Sequence, residues 1–182
     1  MNLPNKLTLT RIILVPVFMV FVSLTQIGTE DFNPTWYLVA GIIFAAASFT
    51  DFLDGHLARK WNMVTDFGKF ADPLADKMLV TAAMLWFVEI GQMPAWMLLI
   101  VICREFAVSG LRMIASDKGR VIAAGWSGKV KTASTMVCIV LMLIPPVARE
   151  ISSLCVAVIV LTTIYSGVEY FIKNLDVLSG TK

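Results

Sequence analysis

Asp51, Asp54, Asp72 and Asp76 stand in one short stretch, DFLDGHLARKWNMVTDFGKFADPLAD, at the margins of strongly apolar segments. Asp51 and Asp54 are three residues apart and Asp72 and Asp76 four, the separations that put side chains on one face of a helix. Carboxylates are costly beside a bilayer, so such a group marks a working site. Acidic oxygens without a histidine or thiolate partner suit hard cations such as Mg2+ or Mn2+, above all where a substrate phosphate adds ligands. Four carboxylates can bracket two ions, and a metal pair is a recurrent clamp for the entering and leaving oxygens of a phosphoryl displacement. Without cations the four would repel one another and some would hold protons.

The small residues of the stretch fit the same chemistry. Gly55 lies one turn after Asp51, Gly68 one turn before Asp72, and Ala58 one turn after Asp54. A helix interior disfavours glycine by about 1 kcal/mol relative to alanine. Two readings therefore stand: a ring or ribose comes close to the backbone there, or two membrane helices pack tightly. Arg59 is placed to pair with a phosphate.

The elements that carry these residues follow from hydropathy. With 58% hydrophobic residues and a mean hydropathy of +0.79, the chain has the composition of an all-α integral membrane protein. Six candidate spans cover about 7–27, 35–57, 69–90, 94–115, 128–147 and 151–172, each near the roughly 20-residue length of a crossing. The second, third and fourth are apolar for only part of their length, since Asp51 and Asp54, Asp72 to Lys77, and Arg104 to Arg112 intrude at one end. Alternation of the barrel-wall kind is absent. The 182 residues are expected to form one transmembrane domain, 1–182. Lys6 and Arg11 precede an apolar run, as in a signal peptide, but no small-residue cleavage site closes it. Pro145, Pro146, Arg149 and Glu150 fit a short turn between the last two spans.

An even number of spans puts both termini on one side. That side collects Lys6, Arg11, Arg59, Lys60, Lys69, Lys77, Arg112, Lys118, Arg120, Lys129, Lys131, Lys173 and Lys182, while the other loops hold Glu30, Asp31, Glu89 and Glu150 with only Arg149. The excess of cations places the termini and the aspartates at the cytoplasmic face. Lys118, Arg120, Lys173 and Lys182 read as anchors near anionic headgroups. A net charge of +2 gives no argument for nucleic acid. Cys103, Cys138 and Cys155 lack metal-site spacing and read as packing residues, and a single histidine, His56, leaves a serine-histidine relay without parts.

Arg104 is eight residues past Trp96, about 12 Å along a helix, which sets it deep in the fourth span. Either it forms a structural pair with Glu105, or it belongs to a phosphate pocket. Arg112 stands two turns further on the same face, and Lys129 and Lys131 open the fifth span. A ring of such cations suits an acceptor that bears a phosphate and offers nothing to a neutral alcohol.

The string Asp51-x-x-Asp54-Gly55-x-x-Ala58-Arg59, then eight residues, then Gly68-x-x-x-Asp72-x-x-x-Asp76 resembles the signature of the CDP-alcohol phosphotransferases, with every position filled. The resemblance extends over essentially the whole chain. It implies a six-helix membrane enzyme that passes a phosphatidyl or related group from a CDP-linked donor to an alcohol, with release of CMP and a need for divalent metal. It further implies that Asp51, Asp54 and Asp72 hold a first ion and that Asp51, Asp72 and Asp76 contact a second, with Asp76 as general base. Gly55, Ala58, Arg59, Gly68, Asn5 and Thr8 would meet the CDP donor. Within the family, PNKLT at 4–8 with Arg11, REFAVSGLR at 104–112 and GKVKT at 128–132 resemble the bacterial members that join CDP-diacylglycerol to glycerol 3-phosphate in the plasma membrane. Arg104, Arg112, Lys129 and Lys131 would then bind the acceptor phosphate. Sister enzymes that make cardiolipin, phosphatidylserine or phosphatidylinositol phosphate are the alternative, and the family implies a homodimer. A small transporter, the reading from another class, would set its charges near the midplane on repeated elements, and here they gather at one face without a repeat.

Overall fold

The computed structural model describes the backbone of residues 3–25, 33–60, 66–123, 125–144 and 149–179, and within these the side chains of all but 3–7, 51–60, 66–73, 76 and 178–179. Seven helices make up nearly all of it: α1 (Leu3–Ser23), α2 (Pro34–Lys60), α3 (Asp66–Glu89), α4 (Ala95–Asp117), α5 (Trp126–Met142), α6 (Arg149–Lys173) and the short α7 (Leu175–Ser179). The all-helical expectation agrees with this, and the described residues contain no strand. Asp66, which opens α3, is a further aspartate of the acidic stretch and lies outside its spacing pattern.

The helices differ from the expected spans where local chemistry overrides hydropathy. The fifth ends at Met142, not 147, because Pro145 and Pro146 follow: proline lacks the N–H a helix needs and pushes its predecessor out of the helical region. Leu143 closes it, donating its N–H to the carbonyl oxygens of Ile139 and Val140. At five residues, α7 is too short to register as a hydropathy peak. By length and apolarity, one helix among the described residues could cross a membrane unaided, Arg149–Lys173, while the apolar stretches Thr8–Ser23 and Pro34–Thr50 are shorter. Charged residues interrupt the others, among them Lys77 in α3, Arg104, Glu105 and Arg112 in α4, and Lys129 and Lys131 in α5.

Side-chain contacts set the helix directions. Arg11 meets Ala47, the Phe18 and Phe44 rings lie 6.0 Å apart and those of Phe21 and Trp36 5.5 Å, so α1 and α2 are antiparallel. Ser134 donates to Thr162 at 3.4 Å, the corresponding link of antiparallel α5 and α6. At the far end, Tyr37 donates its hydroxyl proton to the Met142 carbonyl at 2.7 Å. A side chain at Gly41 would come within 3.0 Å of the Leu143 carbonyl, so α2 and α5 approach closely there. Phe18, Phe44, Phe87, Met84 and Ile159 fill the main core between these helices. A second cluster of Val108, Leu111, Ala115, Tyr170 and Val177 ties the end of α4 to α6 and α7.

Two glycines make the turns. Gly91 and Gly119 both have φ of 72°, a conformation other residues adopt only at a cost. Past Gly91, the N–H groups of Gln92 and Met93 return to the Phe87 carbonyl at 2.9 and 3.0 Å; past Gly119, Arg120 returns to Ala115 at 2.9 Å. These bonds satisfy the last carbonyls of α3 and α4 as left-handed helix caps do.

Candidate functional site

The acidic residues occupy the C-terminal end of α2 and the N-terminal end of α3, consecutive in the chain. Asp51, Asp54, Gly55, Ala58 and Arg59 lie in the last ten residues of α2, and Gly68, Asp72 and Asp76 in the first eleven of α3. Both segments are helical throughout, so the separations of three and four are those of one helical face, and α2 packs against α3. The side chains of these eight residues and of Asn5 lie outside the described ones. Thr8 is buried, and so is Arg11, which sequence reading set among the cations of the cytoplasmic side. Arg11 Nε donates to the Ala47 carbonyl at 3.4 Å, one turn before Asp51, so α1 is fastened to α2 just where the acidic run begins.

The basic residues meet around Glu105. Its Oε1 accepts from Arg104 Nη1 at 2.8 Å and from Lys131 Nζ at 2.7 Å, and its Oε2 lies 3.8 Å from Lys77 Nζ. Lys77 also donates to the Ser109 hydroxyl. Helices α3, α4 and α5 thus each send a cation to one carboxylate, and among the described residues two of the three positive charges have no anionic counterpart in the cluster. Lys131 is only 8% exposed, and a buried ammonium persists only where it is paired and hydrogen-bonded. An anion entering here is attracted by the surplus charge. Of the two readings left open for Arg104, the pair with Glu105 is present, and it is one arm of a larger basic cluster.

Glycines make room for the Arg104 side chain. A Cβ at Gly167 of α6 would come within 3.1 Å of its Cγ, and one at Gly128 of α5 within 3.9 Å of Nη2. The guanidinium lies in a slot between α5 and α6, and its buried Nε has no hydrogen-bond partner among the described residues. A buried donor left in that state costs about 1–3 kcal/mol.

The other two expected phosphate ligands make no contact with Glu105 and differ from one another. Arg112 Nε donates to the Tyr170 hydroxyl at 3.0 Å, with its guanidinium carbon 5.5 Å from the ring centroid. Lys129 is exposed and stands apart from the Glu105 cluster. Lys77, Ser109 and Tyr170 are participants that sequence reading missed; Lys77, the residue after Asp76, was the legible signal. Of the cations read as anchors, Lys118 caps the Val177 carbonyl at 2.7 Å, Arg120 pairs with Asp176 and Lys173 with Glu169. Cys138 and Cys155 are buried, whereas Cys103 is exposed, so packing accounts for two of the three.

A cavity of about 470 Å³ also lies between α5 and α6, lined by Trp126, Val130, Leu161, Tyr165 and Glu169. None of the Glu105 cluster lines it, so chemistry is not assigned there. Among the described residues no three His, Cys, Asp or Glu side chains gather as metal ligands. Asp51, Asp54, Asp72 and Asp76, the cation ligands expected from the sequence, lie outside the residues to which that statement applies.

The sequence model of the CDP-alcohol phosphatidyltransferase family matches residues 1–165. The chain is similar to a Bacillus subtilis protein named CDP-diacylglycerol--glycerol-3-phosphate 3-phosphatidyltransferase, 44% identical over 97% of this chain and 97% of the relative. It is 39% identical to the Escherichia coli K12 protein of the same name, over 80% and 78% of the two chains. A Mycobacterium tuberculosis protein named probable phosphatidylglycerophosphate synthase is 36% identical over 100% of this chain and 85% of its own.

Proposed function

The chain belongs to the CDP-alcohol phosphatidyltransferase family, and on that footing we propose that it transfers the phosphatidyl group of CDP-diacylglycerol to glycerol 3-phosphate, yielding phosphatidylglycerophosphate and CMP. The names of the three relatives support this donor and acceptor. The observation that carries the acceptor is the convergence of Arg104, Lys131 and Lys77 on Glu105. A phosphate dianion gains charge-assisted hydrogen bonds there that a neutral alcohol cannot make.

We place the six long helices across the plasma membrane as one domain, 1–182, with both termini and the site at the cytoplasmic face, and the protein as a homodimer. The one-sided distribution of cations supports the orientation. Large apolar side chains such as Ile13, Ile42, Phe49, Leu154, Leu161 and Ile172 are more than half exposed while Arg11 and Lys131 are buried, a pattern suited to lipid outside and polar chemistry within. The family resemblance supports the dimer.

The reaction begins with the primary hydroxyl of glycerol 3-phosphate, which attacks the β-phosphorus of CDP-diacylglycerol. Asp76 accepts the hydroxyl proton as the new phosphorus–oxygen bond forms, and the bond to the CMP oxygen breaks. Arg104, Lys131 and Arg112 grip the acceptor phosphate, fixing the hydroxyl at the reacting phosphorus. Arg59 offsets charge on the diphosphate, and Gly55, Ala58 and Gly68 leave room for the CDP moiety, with Asn5 and Thr8 beside it. Asp51, Asp54, Asp72 and Asp76 supply only hard carboxylate oxygens, a donor set that fits Mg2+ or Mn2+. These four would hold the cation or cation pair, which when bound would offset charge on the diphosphate as the bond to CMP breaks.

The test is CMP release by the purified protein with CDP-diacylglycerol, Mg2+ or Mn2+ and a panel of alcohols. Glycerol 3-phosphate should support release that a chelator abolishes. Release with serine or inositol phosphate in its place overturns the acceptor, and no release with any alcohol overturns the reaction.

A further inference from the structure

The face of α6 that meets α4 touches both arginines of the acceptor pocket. Arg104 and Arg112 are eight residues apart on α4, and Gly167 and Tyr170 oppose them at positions three apart on α6. At Gly167 the missing side chain makes way for the Arg104 stem, since a Cβ would stand 3.1 Å from Cγ. At Tyr170 the hydroxyl accepts from Arg112 Nε at 3.0 Å. Tyr170 is itself fixed: it is 8% exposed, packs with Val108, Leu111, Ala115 and Val177, and accepts at its carbonyl from Asn174 Nδ2 at 2.8 Å. Arg112, by contrast, is exposed. A free arginine at a surface samples many rotamers, and ordering it reduces the affinity of whatever it binds. Holding Nε on a rigid tyrosine leaves the N–H donors of the two Nη groups for a phosphate.

We propose that Gly167 and Tyr170 position the acceptor pocket, Gly167 by admitting the Arg104 side chain and Tyr170 by aiming the Arg112 guanidinium. Both lie beyond the 1–165 stretch matched by the family model. The inference rests on the reading of Arg104 and Arg112 as acceptor-phosphate ligands. Neither residue touches the reacting atoms; each acts through an arginine.

Steady-state kinetics of the full-length protein with CDP-diacylglycerol and varied glycerol 3-phosphate test it. Tyr170→Phe keeps the ring and removes the hydroxyl, and should raise the KM for glycerol 3-phosphate about fivefold, the equivalent of one hydrogen bond of about 1 kcal/mol. Its kcat and its KM for CDP-diacylglycerol should stay as in the parent, and Gly167→Ala should move the same parameter. Arg112→Ala should raise that KM at least as far, and adding Tyr170→Phe to it should change nothing more. If Arg112→Ala raises the KM and Tyr170→Phe leaves it alone, the positioning role fails while the acceptor pocket stands. An unchanged KM in Arg112→Ala overturns the pocket's use of Arg112 and this inference with it. A parallel loss of kcat and of affinity for both substrates in Tyr170→Phe and Gly167→Ala assigns the two residues to folding alone.

Discussion

Asp51, Asp54, Asp72 and Asp76 are ordered by spacing along two helices, whereas Arg104, Lys131 and Lys77 are ordered by contacts among three. The first arrangement is written in i,i+3 and i,i+4 separations. The second exists only because α3, α4 and α5 bring their cations to Glu105. The difference matches the proposed division of labour. Chemistry shared by a family needs a fixed local motif, while the choice of acceptor can be retuned by residues that meet only in the folded bundle.

Four substitutions or conditions break or sharpen that contrast. Asp72→Asn strikes the acidic side and should have the largest effect: removing a ligand of a cation worth several kcal/mol to the transition state lowers turnover by about 1,000-fold or more. CMP release measures this, with circular dichroism showing that helicity is kept; near-normal turnover sinks the metal-ligand assignment. Lys131→Met strikes the basic side and should raise the KM for glycerol 3-phosphate about 10- to 100-fold, as expected for losing a hydrogen bond to a charged group. A titration in which only CDP-diacylglycerol affinity changes would contradict it.

Glu105→Gln leaves three cations facing one another and should destabilise the bundle by about 1–2 kcal/mol, below the range for fully buried pairs because Glu105 is partly exposed. Thermal melting in detergent reads the loss, and adding Lys131→Met should recover part of it; additive losses would mean that the two do not interact. The smallest effect belongs to α7. The hydrogen bond from Arg120 holds the Asp176 carboxyl below its usual 3.8. A carboxyl lowered on folding contributes stability above its unfolded value and loses it as pH falls through the folded one. Amide protection in α7 should therefore decline only below about pH 4, and protection that is flat into stronger acid would remove this pair from the account.

Much of the fold was legible because apolar runs of helical length are a strong signal, and the helices of the structure fall close to the expected spans. The ends were less so. Pro145 and Pro146 shorten α5, and α7 is held by Lys118 and Val177 rather than by its own hydropathy. In the site, the aspartate spacing could be read directly. Glu105 could be read only as a neighbour of Arg104, since nothing in a linear chain tells that Lys131 and Lys77, twenty-six and twenty-eight residues away, reach the same carboxylate. Arg112 and Lys129 look equivalent to Arg104 and Lys131 in sequence. The fold separates them, sending Arg112 to Tyr170 and leaving Lys129 exposed.

A glycerol 3-phosphate titration run side by side on Asp76→Asn and Lys131→Met tests the division most directly. The account predicts that Asp76→Asn lowers kcat and leaves the KM for glycerol 3-phosphate within about twofold, while Lys131→Met raises that KM and spares kcat. Both substitutions acting on the same parameter would contradict it.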